Sequence, residues 1–190
     1  MRILPPLCMR CGASTAWAVE RCRECSGRSL AFATARSAVA YTGATRDVVR
    51  AWKERGLRPF AVLAAGLVAE RVPRPTADLI TYIPPDRDRS VRRGHHPAQR
   101  LARELARRWE LELVPLLGRA RPVTRQAGLT LEARRRNVRG AFRPAGTVPR
   151  RVVLVDDVYT TGATVAAAAT ALRAGGARRV EVVTFARAVR

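Results

Sequence analysis

The segment VVLVDDVYTTGATV, residues 152–165, restricts the fold of this chain more than any other. Its first four residues are β-branched or aliphatic, which is typical of a central parallel strand covered on both faces. Two adjacent carboxylates, Asp156 and Asp157, follow this run. Thr160, Thr161 and Gly162 then supply turn chemistry. The pattern predicts a buried strand that opens into a polar turn.

A helix and a second strand are predicted directly after this turn. Residues 163–174 are rich in Ala, include Leu172 and contain no Pro, so they favour a helix, which Gly175 and Gly176 end. Residues 180–185 are the next predicted strand. The segment therefore sits at a strand–loop–helix corner on the carboxyl edge of a parallel sheet, where open α/β folds bind ligands.

The side chains of this corner suit a ligand that carries both a phosphate and a sugar. A helix N-terminus presents free N–H groups and a positive dipole end to a phosphate, and Gly162 permits close approach. Threonine hydroxyls add hydrogen bonds, while the two aspartates can accept from sugar hydroxyls or face Mg²⁺ through water. A ribose 5-phosphate has this polarity. The alternative is an ordinary turn beside a solvated acidic pair.

The same segment closely resembles the phosphoribosyl-diphosphate (PRPP) loop of type I phosphoribosyltransferases. The resemblance implies that Asp156 and Asp157 grip the ribose hydroxyls, with Mg²⁺ accompanying PRPP. It also implies that the turn holds the 5-phosphate through Thr160, Thr161, Gly162, Ala163 and Thr164.

Length and charge set the outer limits. The 190 residues suffice for one domain plus a small appendage, and the formal net charge is +21. Of the 36 basic residues only Lys53 is a lysine. Such charge attracts anions, including nucleic acid, although 5% aromatic residues leave few platforms for base stacking.

No stretch is long enough to span a bilayer and no secretory signal is recognisable, so we expect a cytoplasmic protein without membrane insertion.

Four cysteines lie in the first 25 residues as two C-x2-C pairs separated by ten residues. This spacing indicates a structural zinc ribbon or knuckle in which four thiolates complete a tetrahedron, namely Cys8, Cys11, Cys22 and Cys25. So short a segment has almost no core, and the metal would supply its folding energy. Disulfides and redox-active thiols are the alternatives.

The middle of the chain alternates strands and helices. Residues 37–43 and a run ending at Ile83 are predicted strands, and a further strand is centred on residues 111–114. Thr45 is the expected cap of a helix ending at Gly56. A second helix spans residues 60–71, and a third runs from Pro97 to about Trp109. The apolar face expected for the second helix consists of Phe60, Leu63, Leu67 and Val68.

Two arginine-rich connections interrupt this pattern. Residues 86–94 follow a strand directly, so we expect them at the same sheet edge as the aspartates. Residues 118–151 carry ten arginines against one acid, Glu132. A long connection in a compact domain suggests a lid, which could close over a pyrophosphate, and a solvated basic surface is the alternative.

Taken in order, the motifs YTGATRDVVRAWKERG, YIPPDRDRSVRRGHHPAQRLA and RQAGLTLEARRRNVRGAF, behind two C-x2-C pairs, resemble the ComF family of competence-associated phosphoribosyltransferase-like proteins. The resemblance implies a zinc ribbon over residues 1–30 and a type I phosphoribosyltransferase-like domain over residues 31–190, with a parallel sheet flanked by helices and a hood at about 118–150. It assigns the pyrophosphate-side loop to Pro85, Asp86, Arg87 and Arg89, and the hood contacts to Gln126, Arg134 and Asn137.

The chain departs from the family pattern R-G-F-N-Q, because it reads Arg93-Gly94-His95-His96-Pro97. Polar contacts made by the Asn and Gln of that pattern therefore have no obvious donors here. The two histidines could contact an anion, but the expectation for both is a solvated loop residue. Lys53 matches a lysine of the ComF family in the first helix, and its expected role is a helix-surface charge. The three tryptophans are expected to pack in the core: Trp17, Trp52 and Trp109.

Three function classes follow. The first is a PRPP-using transferase, for which no side chain stands out as a general base and the acceptor is open. The second is a catalytically silent protein that binds PRPP or another ribose 5-phosphate ligand. The third is a competence or DNA-uptake factor that binds single-stranded DNA or a helicase-like partner through its basic surface and cysteine-rich head.

Overall fold

The computed structural model describes residues 2–57, 59–85, 95–121 and 130–189. Its described helices are α1 (Gly43–Arg55), α2 (Phe60–Arg71), α3 (Pro97–Trp109), α4 (Leu131–Val138) and α5 (Ala163–Ala174). Its described strands are β1 (Thr34–Ala40), β2 (Leu79–Tyr82), β3 (Glu112–Leu113), β4 (Leu117–Arg119), β5 (Phe142–Pro144), β6 (Arg151–Tyr159) and β7 (Arg179–Arg187). Among these residues no helix combines the length and apolar character needed to cross a membrane.

Five strands form one sheet in the order β1-β7-β6-β2-β3, and every neighbouring pair is parallel. The α/β class and parallel sheet expected from the sequence are thus confirmed. Because β6 lies at the centre, its apolar residues are covered on both faces, and Val153, Leu154 and Val155 are fully buried. The carboxyl end of β6 is therefore framed by the ends of β7 and β2.

The two faces of the sheet carry different covers. Helices α1, α2 and α3 bury one face, with Trp52, Val68 and Leu101 in the same apolar cluster as Val153 and Val155. Helix α5, strand β5 and the cysteine-rich N-terminal segment cover the other face, where Cys8 and Leu172 share a cluster with Leu154. The N-terminal segment is therefore packed against the sheet and is part of the core.

Residues 118–151 contain more regular structure than a long connection. Strands β4 and β5 pair in antiparallel fashion as a separate two-stranded sheet, and α4 packs against α5. The side chain of Arg121 donates to the carbonyls of Arg136, Asn137 and Arg139 at 3.4, 3.0 and 2.6 Å, which satisfies the free carbonyls at the end of α4.

Several local expectations were wrong. Helix α1 begins at Gly43 with Thr42 as its N-cap, so Thr45 lies inside the helix and caps nothing. Helix α2 buries three of its four alanines and Val68, whereas Leu63 is 57% exposed. Trp17 is also exposed, at 71%, while Trp52 and Trp109 are buried as expected. Leu63 lies outside the buried stripe of α2, which follows helical spacing through Ala61, Ala64, Ala65 and Val68.

Candidate phosphate and ribose site

The aspartate pair lies at the carboxyl end of β6, directly before the turn into α5. Strand β6 runs to Tyr159, four residues beyond the predicted apolar run, because Asp156 and Val158 still pair with Thr184 and Ala186 of β7. Helix α5 starts at Ala163, as predicted, with Gly162 as its N-cap residue. The strand–turn–helix corner thus has the predicted geometry, and it holds both acids on regular structure.

The turn before α5 requires glycine at one position. Gly162 has φ 71° and ψ 5°, a left-handed conformation that other residues adopt only with strain. A Cβ there would also overlap the hydroxyl and the ring of Tyr159. Thr161 is 4% exposed and its Oγ1 accepts from the Ala163 N–H at 3.2 Å, so this hydroxyl stabilises the turn itself. Thr160 and Thr164 are both less buried.

Lys53 of α1 forms an ion pair with Asp157, a contact that was not predicted from the sequence. Its Nζ lies 2.9 Å from Oδ1 of Asp157, with side-chain exposures of 30% and 15%. The expectation of a helix-surface charge was therefore wrong. Helical spacing offered a weak indication of this position. Lys53 follows the buried Val49 by four residues, so it lies one turn along the same core-facing side of α1.

Asp156 and Asp157 differ in their surroundings. Asp157 faces Lys53, while Oδ1 of Asp156 accepts the backbone N–H of Asp157 at 2.9 Å. Burial and the neighbouring Asp157 charge raise the pKa of Asp156 to about 7, although Lys53 acts in the opposite direction. The pair therefore holds a proton more readily than two solvated carboxylates do.

The two histidines before α3 are structural residues, so the prediction that they are solvated was wrong. His95 is 8% exposed, and its Nε2 lies 2.7 Å from the Trp52 carbonyl oxygen. Because a carbonyl only accepts, Nε2 carries the proton. His95 also lies against Gly56, where an added Cβ would approach its Nδ1 to 3.1 Å. The contact fixes the start of α3 against the end of α1.

His96 caps α3 and lies near the acidic pair. Its Nδ1 accepts from the Gln99 N–H at 3.2 Å, and its ring centroid is 5.7 Å from that of Tyr82. Burial lowers the pKa of His96 to about 4, against the Asp157 charge and with help from Arg119 and Lys53. A neutral imidazole therefore stands where the family pattern places an amide residue.

Fewer of the remaining predicted residues can be placed. Pro85 follows β2 at the carboxyl edge of the sheet. Arg119 of β4 donates to the Pro84 carbonyl from Nε at 3.3 Å and from Nη2 at 3.1 Å, which brings the two-stranded sheet to the same edge. Arg134 and Asn137 lie in α4. Asp86, Arg87, Arg89 and Gln126 fall outside the described residues.

The four cysteines form one cluster in the N-terminal segment. Their Sγ atoms lie within 4.8 Å of one another, with separations of 3.6 Å for Cys8–Cys25, 3.5 Å for Cys11–Cys22 and 3.9 Å for Cys22–Cys25. All four thiols are free, so the disulfide alternative does not apply. Zinc bound by four thiolates at about 2.3 Å requires sulfur separations of roughly 3.8 Å. The cluster can therefore bind zinc.

Backbone donors prepare one of these thiols for metal binding. Burial opposes ionisation of Cys8, but N–H groups of Cys11, Cys22 and Arg10 outweigh it and lower its pKa to about 7. Burial raises the pKa of Cys25 to about 11 in the absence of a cation. A bound metal would replace these protons, because thiolates are its ligands.

Comparison with known proteins agrees with this architecture. The family model described as "Phosphoribosyl transferase domain" matches residues 33–189. DNA utilization protein YhgH of Escherichia coli O6:H1 is 39% identical over 110 residues, which are 55% of this chain and 47% of that protein. Competence protein F of Haemophilus influenzae is 32% identical over 142 residues, covering 72% and 62%.

A YhgH protein of Salmonella typhimurium is 30% identical over 188 residues, which are 93% of this chain and 82% of that protein. The matched part thus ranges from about half of the E. coli relative to most of the Salmonella relative. The parallel sheet, the aspartate turn, the matching domain model and these relatives together establish that the chain belongs to the phosphoribosyl transferase domain family, as a member of the ComF family.

Proposed function

We propose that this chain binds PRPP and is a phosphoribosyltransferase-type protein. The observation that carries the proposal is the corner at the end of β6. Two aspartates, one paired with Lys53, stand immediately before a left-handed glycine turn and the N-terminus of α5. The ribose hydroxyls of PRPP match the two aspartates, and its 5-phosphate matches the turn and the N-terminus of α5.

Each half has a defined task in this proposal. Asp156 and Asp157 accept hydrogen bonds from the ribose hydroxyls. The 5-phosphate lies against the first turn of α5, where unpaired N–H groups and the helix dipole favour a dianion. Thr160 and Thr164 donate their hydroxyls, whereas Thr161 shapes the turn because its hydroxyl is engaged by Ala163.

Basic groups near the site serve the pyrophosphate. Lys53 and Arg119 lie close enough to Asp156 to lower its pKa, so both carry positive charge near the carboxyl end of β6. Positive charge at this edge stabilises a departing pyrophosphate while the anomeric carbon gains oxocarbenium character. Holding ribose and leaving group in one geometry supplies the rest of the barrier reduction.

The residues of the site can bind Mg²⁺ only when PRPP supplies further ligands. The two carboxylates are hard oxygen donors, but Lys53 already neutralises Asp157 at 2.9 Å. Mg²⁺ typically keeps waters and relies on substrate phosphates for its remaining ligands. When bound, it would neutralise the pyrophosphate oxygens. We therefore propose that Mg²⁺ enters with PRPP and that the protein alone holds it weakly.

The test replaces both acids with their amides. Asp156→Asn with Asp157→Asn should abolish PRPP binding in a calorimetric titration and leave the circular dichroism spectrum intact. The matched control, Asp47→Asn with Glu70→Gln, removes two exposed acids from α1 and α2 and should bind like the wild type. Wild-type affinity in the first variant would exclude the ribose assignment. Release of pyrophosphate with an acceptor would separate a transferase from a silent PRPP-binding protein.

A second candidate function is single-stranded DNA handling. It is favoured by the names of the relatives, which concern DNA utilization and competence, and by the net charge of +21. Under this proposal, single-strand affinity falls steeply with salt, because each neutralised phosphate releases a counterion. A binding constant that barely changes between low and physiological salt would reject it. The two functions are compatible in one protein.

A further inference from the structure

We propose that Arg28 and Arg187 are positioning residues that couple the cysteine cluster to the phosphate-binding turn, residues 160–164. In this account the metal state of the cluster determines how well the turn is ordered. The inference rests on the proposed function only for what the turn binds. The coupling itself is a property of the contacts between the N-terminal segment and the end of β6.

Arg187 is the first connection. Its side chain is 3% exposed at the end of β7. Nη1 donates to the Cys11 carbonyl at 2.7 Å, Nη2 lies 2.6 Å from Oε2 of Glu24, and Nη2 is 3.7 Å from Sγ of Cys11. A charge this buried depends on its partners, and all of these partners belong to the cysteine-rich segment.

The same guanidinium reaches the turn through Tyr159. Arg187 pairs with Tyr159 in the register of β6 and β7, and its Cζ lies 4.4 Å from the centroid of the tyrosine ring. The ring and hydroxyl of Tyr159 fill the space beside Gly162, where no Cβ would fit. The contacts therefore run from Cys11 through Arg187 and Tyr159 to the glycine of the turn.

Arg28 is the second connection, and it is direct. It follows Cys25 by three residues, and its backbone N–H donates to the Cys25 carbonyl at 3.3 Å. Its Nη1 donates to the Glu24 carbonyl at 3.2 Å and to the Thr161 carbonyl at 3.1 Å. One guanidinium thus joins the second C-x2-C turn to the peptide that precedes Gly162.

Metal binding gives these connections a consequence. Four thiols held in one tetrahedron fix the two C-x2-C turns, and so fix Glu24, the Cys11 carbonyl and the backbone of Arg28. Without metal, the segment still packs against the sheet, but no ion joins the two C-x2-C turns at their centre. Arg187 then loses its acceptors, and the turn loses the hydrogen bond to Thr161. The turn would be less ordered although its own sequence is unchanged.

Hydrogen exchange tests the coupling without any ligand. Zinc-loaded protein and protein treated with a chelator are compared by mass spectrometry. We expect chelation to accelerate exchange at residues 160–164, with little change in α3, which packs on the opposite face of the sheet. Unchanged exchange at the turn after verified metal loss would overturn the inference. Equal acceleration in α3 would also overturn it, because it would mean global loosening.

Substitutions test the role of the arginine itself. Arg28→Ala should keep its zinc and weaken PRPP binding about tenfold, since a charged hydrogen bond to the turn is lost. Arg28→Lys, which retains a cationic donor, should restore affinity to within about threefold of wild type. Arg23→Ala is the matched control, because Arg23 is exposed in the same segment.

Wild-type affinity in Arg28→Ala, or a loss in Arg28→Lys as large as in Arg28→Ala, would contradict a positioning role. If wild-type protein binds no PRPP at all, the proposed function fails. The exchange experiment then still decides whether the cysteine cluster orders the turn, so the two proposals can fail separately.

Discussion

Asp156 shows at the scale of one residue how the site opposes the stability of the fold. Burial and Asp157 raise its pKa to about 7, so its charged form is disfavoured in the folded protein. Its contribution to stability is fully present below about pH 4, where the unfolded chain is also protonated, and is lost as the pH rises through 7. The acid is therefore retained at the expense of stability at neutral pH.

We predict that Asp156→Asn stabilises the protein at pH 8 by about 1–2 kcal/mol, because the amide removes a half-buried charge and still accepts the Asp157 N–H. The difference from wild type should vanish below about pH 4. Denaturant unfolding at several pH values measures it. A variant that is no more stable than wild type at pH 8 would show that the folded protein accommodates the charge without cost.

Lys53 is the counterpart of these acids. We predict that Lys53→Met weakens PRPP binding at least about tenfold, since two carboxylates without their cation would repel the anionic ligand. Arg50→Met is the control on the same helix, because Arg50 is 73% exposed and forms an ion pair with Glu54. Calorimetry on both variants decides the matter. Equal affinities would remove Lys53 from the site.

At the scale of elements, the turn between β6 and α5 depends on one glycine. We predict that Gly162→Ala lowers the free energy of unfolding by about 2 kcal/mol or more and eliminates PRPP binding, because the left-handed φ and the Tyr159 ring both exclude a Cβ. Thermal unfolding and calorimetry measure these effects.

The control for this substitution is Gly66→Ala inside α2, where a Cβ would meet only Arg108 Nη2, at 3.8 Å. That variant should be more stable than wild type by about 0.5–1 kcal/mol, because alanine favours the helix interior. If Gly162→Ala behaved like Gly66→Ala, the turn would be more adaptable than its geometry indicates.

The elements that the sequence predicts best are those with clear boundaries. Pro97 starts α3, Gly175 follows α5, and both helices have the predicted bounds. Strand β6 was predicted too short because two aspartates interrupt its apolar run. Its last residues stay in the strand because they pair with β7, which a local pattern does not show. The expected solvation of His95 and His96 failed because His95 contacts the Trp52 carbonyl of α1 and the His96 ring lies beside Tyr82 of β2.

Some residues of the site could be predicted from the local sequence, and others could not. The aspartates and the glycine turn are contiguous in sequence, so their chemistry could be read locally. Lys53 joins them from α1, and Arg28 and Arg187 reach the turn from the two ends of the chain. Contacts between distant segments cannot be predicted from a single sequence except through the spacing of apolar residues. For Lys53 that spacing was present and weak.

At the scale of the whole molecule, the cysteine-rich segment and the sheet form one packed structure. We predict about one zinc ion per chain by elemental analysis, lost in Cys8→Ser and in Cys25→Ser. Both thiols are fully buried in the cluster, so their loss should also lower the unfolding temperature. Ser26→Ala, an exposed neighbour of Cys25, should keep its metal. Native protein without metal would contradict the assignment.

The most direct test of the central claim is calorimetric titration of PRPP into the zinc-loaded protein, with and without Mg²⁺. The account predicts saturable binding at one site per chain that is markedly tighter with Mg²⁺, because the ion enters with the ligand phosphates. Absence of saturable binding in a folded, zinc-loaded sample would contradict the account. The aspartate turn would then be a retained family feature without its ligand, and single-stranded DNA would become the first ligand to test.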